Sequence, residues 1–221
     1  MPSDSYEIRI CASCGLRYPL TDGHAFGTRC PACMGETRVI LHRQLVIEPV
    51  HDLPDPSTRK GAQTVRDSRK EGQKSMAVLL DNIRSAWNVG SILRSADGFG
   101  FDHAYCCGIT PTPENEAVTK TSLGAEDSVT WSYHKDAVRL VKGLKKEGWK
   151  VYALEEDERA VEIRKEKGGK QRSVLIVGNE VTGVDPELLD LCDAIYFIPM
   201  RGEKKSFNVA IAFGIAAFAL K

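Results

Sequence analysis
The chain has 221 residues, enough for one domain of ordinary size or one domain with a small appendage. Hydrophobic residues at 42% and charged residues at 27% are ordinary globular values, which argue against a disordered chain, a collagen-like fibre and a membrane protein. Lys+Arg 30 balances Asp+Glu 30, so a uniformly basic nucleic-acid coat is excluded and any nucleic-acid contact must come from local patches.

The first residues, MPSDSYEIRI, lack the basic and apolar regions of a signal peptide. The C-terminal FNVAIAFGIAAFALK is too short and too rich in Gly and Ala for a membrane span. A reducing, cytoplasmic location without membrane contact is expected. Cys11, Cys14, Cys30 and Cys33 form two CxxC pairs with 15 residues between them, while Cys106, Cys107 and Cys192 lie far away in apolar surroundings. Four thiolates are the soft ligand set of a closed tetrahedral site, and the spacing fits a structural zinc ribbon. Gly15 and Gly35 are expected to let the backbone fold over the metal. Two disulfides or a redox CxxC are the alternative, and CASCGLRY…CPACMG is also similar to the iron knuckles of rubredoxin. Zinc is favoured because nothing else suggests electron transfer. A four-thiolate ion has no open position for water, so the expected role of residues 1–47 is recognition rather than chemistry.

Residues 48–74 read as a basic polar linker, punctuated by Pro49, Pro54, Pro56, Gly61 and Gly72 and carrying Arg59, Lys60, Arg66, Arg69, Lys70 and Lys74. From Met76 the pattern changes. Strands are predicted at MAVLL (76–80), HAYCCGI (103–109), WKVYAL (149–154), SVLIVGN (173–179) and AIYFIPM (194–200). Helices are predicted at 88–100, at 135–147, after the Asp185-Pro186 start, and at 207–220. Alternating strands and helices give an α/β domain, 75–221, with a mostly parallel sheet. P-loop, GxGxxG, HExxH and GxSxG motifs are absent, which removes the NTPase, dehydrogenase, metalloprotease and α/β-hydrolase readings.

Three segments, LLDNIRSAWNVGSILRSADGFG (79–100), VLIVGNEVTGV (174–184) and FIPMRGEKKSFNVAIAFGIAAFAL (197–220), read together resemble the three motifs of the TrmH (SpoU) group of RNA ribose 2′-O-methyltransferases in the SPOUT superfamily. KTSLGAEDSVTW (120–131) fits the stretch between the first two motifs. The resemblance covers the whole α/β module. It implies a SPOUT-type sheet with a C-terminal trefoil knot, S-adenosylmethionine bent in that knot, an RNA substrate (tRNA or rRNA) and a homodimer. The sequence departs from the commonest third motif at Lys205, where the family usually has Glu.

The resemblance puts Arg94 at the centre of catalysis. A guanidinium is a poor general base, so the preferred role is gripping substrate phosphate and stabilising developing alkoxide. Proton removal through the phosphate and through a transiently deprotonated Arg94 both stay open. The plain alternative is a surface arginine. Asn88 is expected at the strand-to-helix turn, as helix cap, site residue or both. Glu180 is expected to accept hydrogen bonds from Asn88 or a loop amide. Ser206 and Asn208 are expected to face substrate and cofactor or to cap the last helix, a role that suits Ser206. The positions matching the family's cofactor contacts are Leu154, Gly178, Ile198, Met200 and Phe207. The nearly all-apolar last helix is expected to be buried partly against a second subunit. Two rival functions remain: a catalytically silent RNA-binding platform, and a methyltransferase acting on a protein or small molecule.

Overall fold
The computed structural model describes residues 5–21, 27–44, 75–163, 171–204 and 206–220. The basic linker, 48–74, and Lys205 lie outside the described residues.

Residues 5–21 and 27–44 build a three-stranded antiparallel sheet in the order β2-β1-β3, from β1 (Ser5–Cys11), β2 (Arg17–Thr21) and β3 (Thr37–Gln44). Each cysteine pair sits on a tight turn: Gly15 N–H donates to Cys11 O and Met34 N–H to Cys30 O. The left-handed position of the first turn is Gly15, as expected. In the second it is Met34, at φ 58°, and Gly35 instead sits against Ser13.

The α/β unit is a seven-stranded sheet, parallel at every pairing, in the order β6-β5-β4-β9-β7-β10-β8. Its strands are β4 (Met76–Asp81), β5 (His103–Cys107), β6 (Thr130–His134), β7 (Lys150–Leu154), β8 (Val161–Glu162), β9 (Ser173–Val177) and β10 (Ala194–Phe197). Its helices are α1 (Ala86–Gly98), α2 (Glu116–Ser122), α3 (Ala125–Ser128), α4 (Ala137–Lys146), α5 (Pro186–Leu191) and α6 (Val209–Ala219). Central strands β4 and β9 are buried throughout, which is why they read as unbroken apolar runs. Their side chains alternate between two cores. Val78, Leu80, Leu175 and Val177 face Ile92, Leu93 and Phe213 of α1 and α6; Ala77, Leu79, Val174 and Ile176 face Val141, Leu144 and Leu188 of α4 and α5. Helix α4 is capped by Asp136 and buries Ala137, Val138, Val141 and Leu144, the stripe its period predicts. Helix α6 buries Ala210, Phe213, Ala216 and Ala217 but leaves Ile211, Ile215 and Phe218 exposed in the single chain. The small sheet has its own core of Cys11, Leu16, Tyr18 and Cys30, with Ile109 of the α/β unit packed against it.

Candidate active site and four-thiol centre
In parallel sheets, ligand crevices lie beyond the carboxyl ends of the strands. Here β4 and β9 are neighbours, so their carboxyl ends bring residues 82–85 and 178–185 together. Ser85 caps α1 by accepting from Asn88 N–H. After β9 the chain makes a compact turn: Asn179 and Gly183 exchange backbone hydrogen bonds, and Asn179 Oδ1 accepts from the amides of Val181 (2.9 Å) and Thr182 (3.1 Å). Gly178 is demanded by that turn. A Cβ there would lie 2.3 Å from Gly183 C and Val184 N.

The turn presents Glu180, whose carboxylate accepts from Arg84 N–H (2.8 Å), Ser85 N–H (3.1 Å) and Asn88 Nδ2 (2.8 Å). Asn88 Oδ1 in turn accepts from Asn208 Nδ2 at 3.0 Å. Asn208 Oδ1 caps α6 through Ala210 N–H and Ile211 N–H. One hydrogen-bonded relay, Glu180–Asn88–Asn208, therefore joins three segments of chain far apart in sequence.

The structure brings together Asn88, Glu180 and Asn208 but neither Arg94 nor Ser206. Asn88 sits within the first turn of α1, and the cap is Ser85. The cap of α6 is Asn208; Ser206 is exposed and has no hydrogen-bond partner among the described residues. Arg94 is exposed and unpaired among the described residues. Six residues along a helix from Asn88 means about 9 Å of rise and about 240° of rotation, so the two side chains leave different faces of α1. Of the apolar positions, Leu154 ends β7 and Ile198 follows β10, its neighbour in the sheet. Leu154, Ile198 and Met200 are half-buried, and Phe207 is exposed. Such half-open apolar side chains at adjacent strand ends suit the faces of an adenine ring.

Three acids beside the turn, Asp81 and Asp185 buried and Glu155 half-buried, were not foreseen as site residues. Asp81 ends β4; its Oδ2 accepts from Asp185 N–H (2.9 Å) and its Oδ1 from Asn82 Nδ2 (2.8 Å). Burial, reinforced by the charge of Asp185, pushes the Asp81 carboxyl up to about 7. Glu155 follows β7 and accepts from Val184 N–H at 2.8 Å, and burial raises its pKa. Asp185, expected only as a helix cap, also binds Arg17 of the small sheet. The signal that could have found them is a polar residue at the end of an apolar parallel strand, as in MAVLL-Asp81 and YAL-Glu155.

In the small sheet the Sγ atoms of Cys11, Cys14, Cys30 and Cys33 all lie within 4.8 Å of one another, with Cys11–Cys33 at 3.5 Å and Cys14–Cys30 at 3.6 Å. Sulfurs about 2.3 Å from a tetrahedral centre sit about 3.8 Å apart, so the cluster has the dimensions of a metal cage. The thiols are electrostatically inequivalent. Burial works to raise Cys11, but the amides of Cys14 and Ser13 bring it down to about 6, whereas burial drives Cys14 up to about 12. Crowded thiols that cannot all ionise together are what a dication would compensate.

Residues 75–218 match the SpoU rRNA Methylase family. The tRNA (guanosine(18)-2′-O)-methyltransferase of Thermus thermophilus is 31% identical over 161 residues, covering 73% of this chain and 81% of that protein. The 23S rRNA (guanosine(2553)-2′-O)-methyltransferase RlmP of Bacillus subtilis is 32% identical over 65% of this chain and 57% of its own length. Among solved structures, the AdoMet-bound rRNA methyltransferase from Sinorhizobium meliloti superposes with a TM-score of 0.63 at 27% identity, over 67% of this chain and 57% of that one. The parallel sheet, the three linked segments at its carboxyl edge and these matches lead to one conclusion: the chain belongs to the SpoU rRNA methylase family.

Proposed function
We propose that the protein transfers a methyl group from S-adenosylmethionine to the ribose 2′-hydroxyl of a tRNA or rRNA nucleotide. The observation that carries this reading is the Glu180–Asn88–Asn208 relay, which ties the three family segments into one site. The relatives named above act on guanosine 2′-hydroxyls in both RNA classes. S-adenosylmethionine supplies an electrophilic methyl group on a sulfonium. The chain supplies positioning, which is worth up to about 7–11 kcal/mol for well-oriented partners. Leu154, Ile198, Met200 and Phe207 would offer apolar walls to the adenine, and Gly178 would let the backbone approach the cofactor closely. Glu180 fixes the start of α1, and Asn88 and Asn208 hold the last helix to it. Arg94 would grip the RNA phosphate and stabilise the alkoxide that develops as the O–CH3 bond forms and the S–CH3 bond breaks, S-adenosylhomocysteine leaving and the 2′-hydroxyl proton departing through the phosphate or a transiently deprotonated Arg94.

Arg94 is exposed, has no partner among the described residues and lies apart from the relay, which suits an RNA contact in a site completed between two copies. The exposed apolar strip of Ile211, Ile215 and Phe218, with Trp87 at 63% exposure on α1, supports a homodimer through α1 and α6. Strand β10 lies between β7 and β8, so the 155–160 connection crosses it while the chain beyond β10 turns back to α6 on α1; this supports the C-terminal trefoil knot. The N-terminal module, 1–47, is read as a zinc ribbon that helps select RNA; Arg38, His42 and Arg43 are exposed on β3. The second half of the linker, 59–74, adds a local basic excess, with Arg59, Lys60, Arg66, Arg69, Lys70 and Lys74 against Asp67 and Glu71. Among the described residues no helix is long and apolar enough to cross a membrane. Mass spectrometry of nucleosides from cells lacking the gene tests the reading. One 2′-O-methyl nucleoside should vanish from tRNA or rRNA. An unchanged set, with no S-adenosylmethionine bound in calorimetry, would support the silent platform instead.

A further inference from the structure
The cysteine-bearing sheet meets the α/β unit through a buried charge that its metal-binding role does not require. Arg17 opens β2, and its N–H donates to Lys135 O at 2.9 Å. Its guanidinium grips Asp185 with two bonds, Nε to Oδ2 at 2.6 Å and Nη2 to Oδ1 at 2.9 Å, and its third nitrogen lies 3.2 Å from Glu187. Arg17 is 6% exposed and Asp185 5%. The seam is tight: a Cβ on Gly108 would lie 2.8 Å from Arg17 O and 2.0 Å from Asn82 Oδ1.

From Asp185 the bonds continue into the site. Its N–H donates to Asp81, Asp81 accepts from the Asn82 side chain, and Asn82 O accepts from Asn179 Nδ2 at 2.7 Å. Asn179 organises the turn that presents Glu180. A second contact reaches the same turn, because Tyr6 O–H donates to Thr182 O at 3.4 Å. Both contacts therefore converge on residues 179–185. A buried ion pair is seldom a better source of stability than apolar packing, so module docking alone does not explain it. A bidentate guanidinium does fix direction, which a turn carrying a site carboxylate needs.

We infer that Arg17 is a positioning residue: acting through Asp185, Asp81 and Asn179, it holds the Glu180 turn in register for methyl transfer. The catalytic half of this inference rests on the function proposed above; the structural half does not. The test uses the full chain, metal-loaded, as wild type, Arg17→Lys, Arg17→Met and Arg17→Met/Asp185→Asn. The double variant removes both charges while Asn still caps α5. Amide hydrogen exchange across 179–185 is read beside kcat and KM for RNA. Arg17→Met should speed exchange in that turn and lower kcat by roughly 10-fold or more, since a displacement of about 1 Å can cost about 100-fold. KM for RNA should stay within about threefold, because the loss lies in the transition state rather than in binding. The double variant should regain melting temperature but neither exchange protection nor kcat, and Arg17→Lys should fall between. Unchanged exchange in the turn, a loss confined to KM, or full recovery of kcat in the double variant would overturn the inference. If the wild type transfers no methyl group, the functional reading fails by itself, and exchange still decides whether Arg17 holds the turn.

Discussion
Glu180 accepts from two backbone amides and one side-chain amide, so its charge is committed to geometry, while Arg94 carries an unpaired charge into solvent among the described residues. That contrast assigns roles. Arg94→Ala should leave stability within about 0.5 kcal/mol, as for an exposed side chain without partners. S-adenosylmethionine affinity should also hold, because a cation gains nothing from a sulfonium. Turnover should fall by about 10²–10³-fold, the usual loss of one preorganised charge stabiliser. Steady-state kinetics with calorimetry separates these outcomes. Asp81 gives a pH signature. Its folded pKa of about 7 lies above the ordinary aspartate value, so the native state holds a proton that the unfolded chain releases. Stability therefore falls as pH rises from about 4, the ordinary aspartate value, through about 7, by an amount on the order of a few kcal/mol. Urea midpoints across that range should show the decline, and Asp81→Asn should flatten it.

At the scale of elements, legibility followed burial. Strands β4 and β9 were readable because both faces are covered, and α4 because four buried residues keep a 3.6-residue period. Helices α2 and α3 were not: seven and four residues give too few turns for a period, and only Val118, Ser122 and Ala125 are buried. Strand β8 has two residues, both exposed, and carries no pattern. The start of α1 was obscured because Ser85 and Asn88 are both capping types, and only the direction of their hydrogen bond separates them. The turn after β9 gives the element-scale prediction. Gly178→Ala would set a methyl group 2.3 Å from backbone atoms, so the turn must shift. A destabilisation of about 1–3 kcal/mol is expected, with a loss of turnover as Glu180 moves. Thermal melts and kinetics on the one variant check both.

Across the whole molecule, the two modules have separate cores but share the Arg17–Asp185 pair, whose members stand 168 residues apart in sequence. The cysteine spacing announced the four-thiol cluster, and the three family segments held Asn88, Glu180 and Asn208, which the fold brings together, beside Arg94 and Ser206, which it does not. Nothing local announced the seam, because neither an arginine after a CxxC turn nor a helix-capping aspartate names its partner. Purified protein should carry about one zinc per chain, as a closed four-thiolate site does. Removing it by chelation, or replacing Cys30 with Ser, should unfold residues 1–47 and also lower the melting temperature of the α/β unit, because Asp185 and Asp81 lose their buried cation. An α/β melting temperature indifferent to the metal would contradict that coupling.

The most direct test of the account is methyl transfer in vitro. Purified protein is incubated with methyl-labelled S-adenosylmethionine and RNA from cells lacking the gene, and the RNA is then digested to nucleosides. Label is expected in one 2′-O-methyl nucleoside of tRNA or rRNA, abolished or sharply reduced in Arg94→Ala. Label on a base, label on protein, or no transfer by metal-loaded wild type would contradict it.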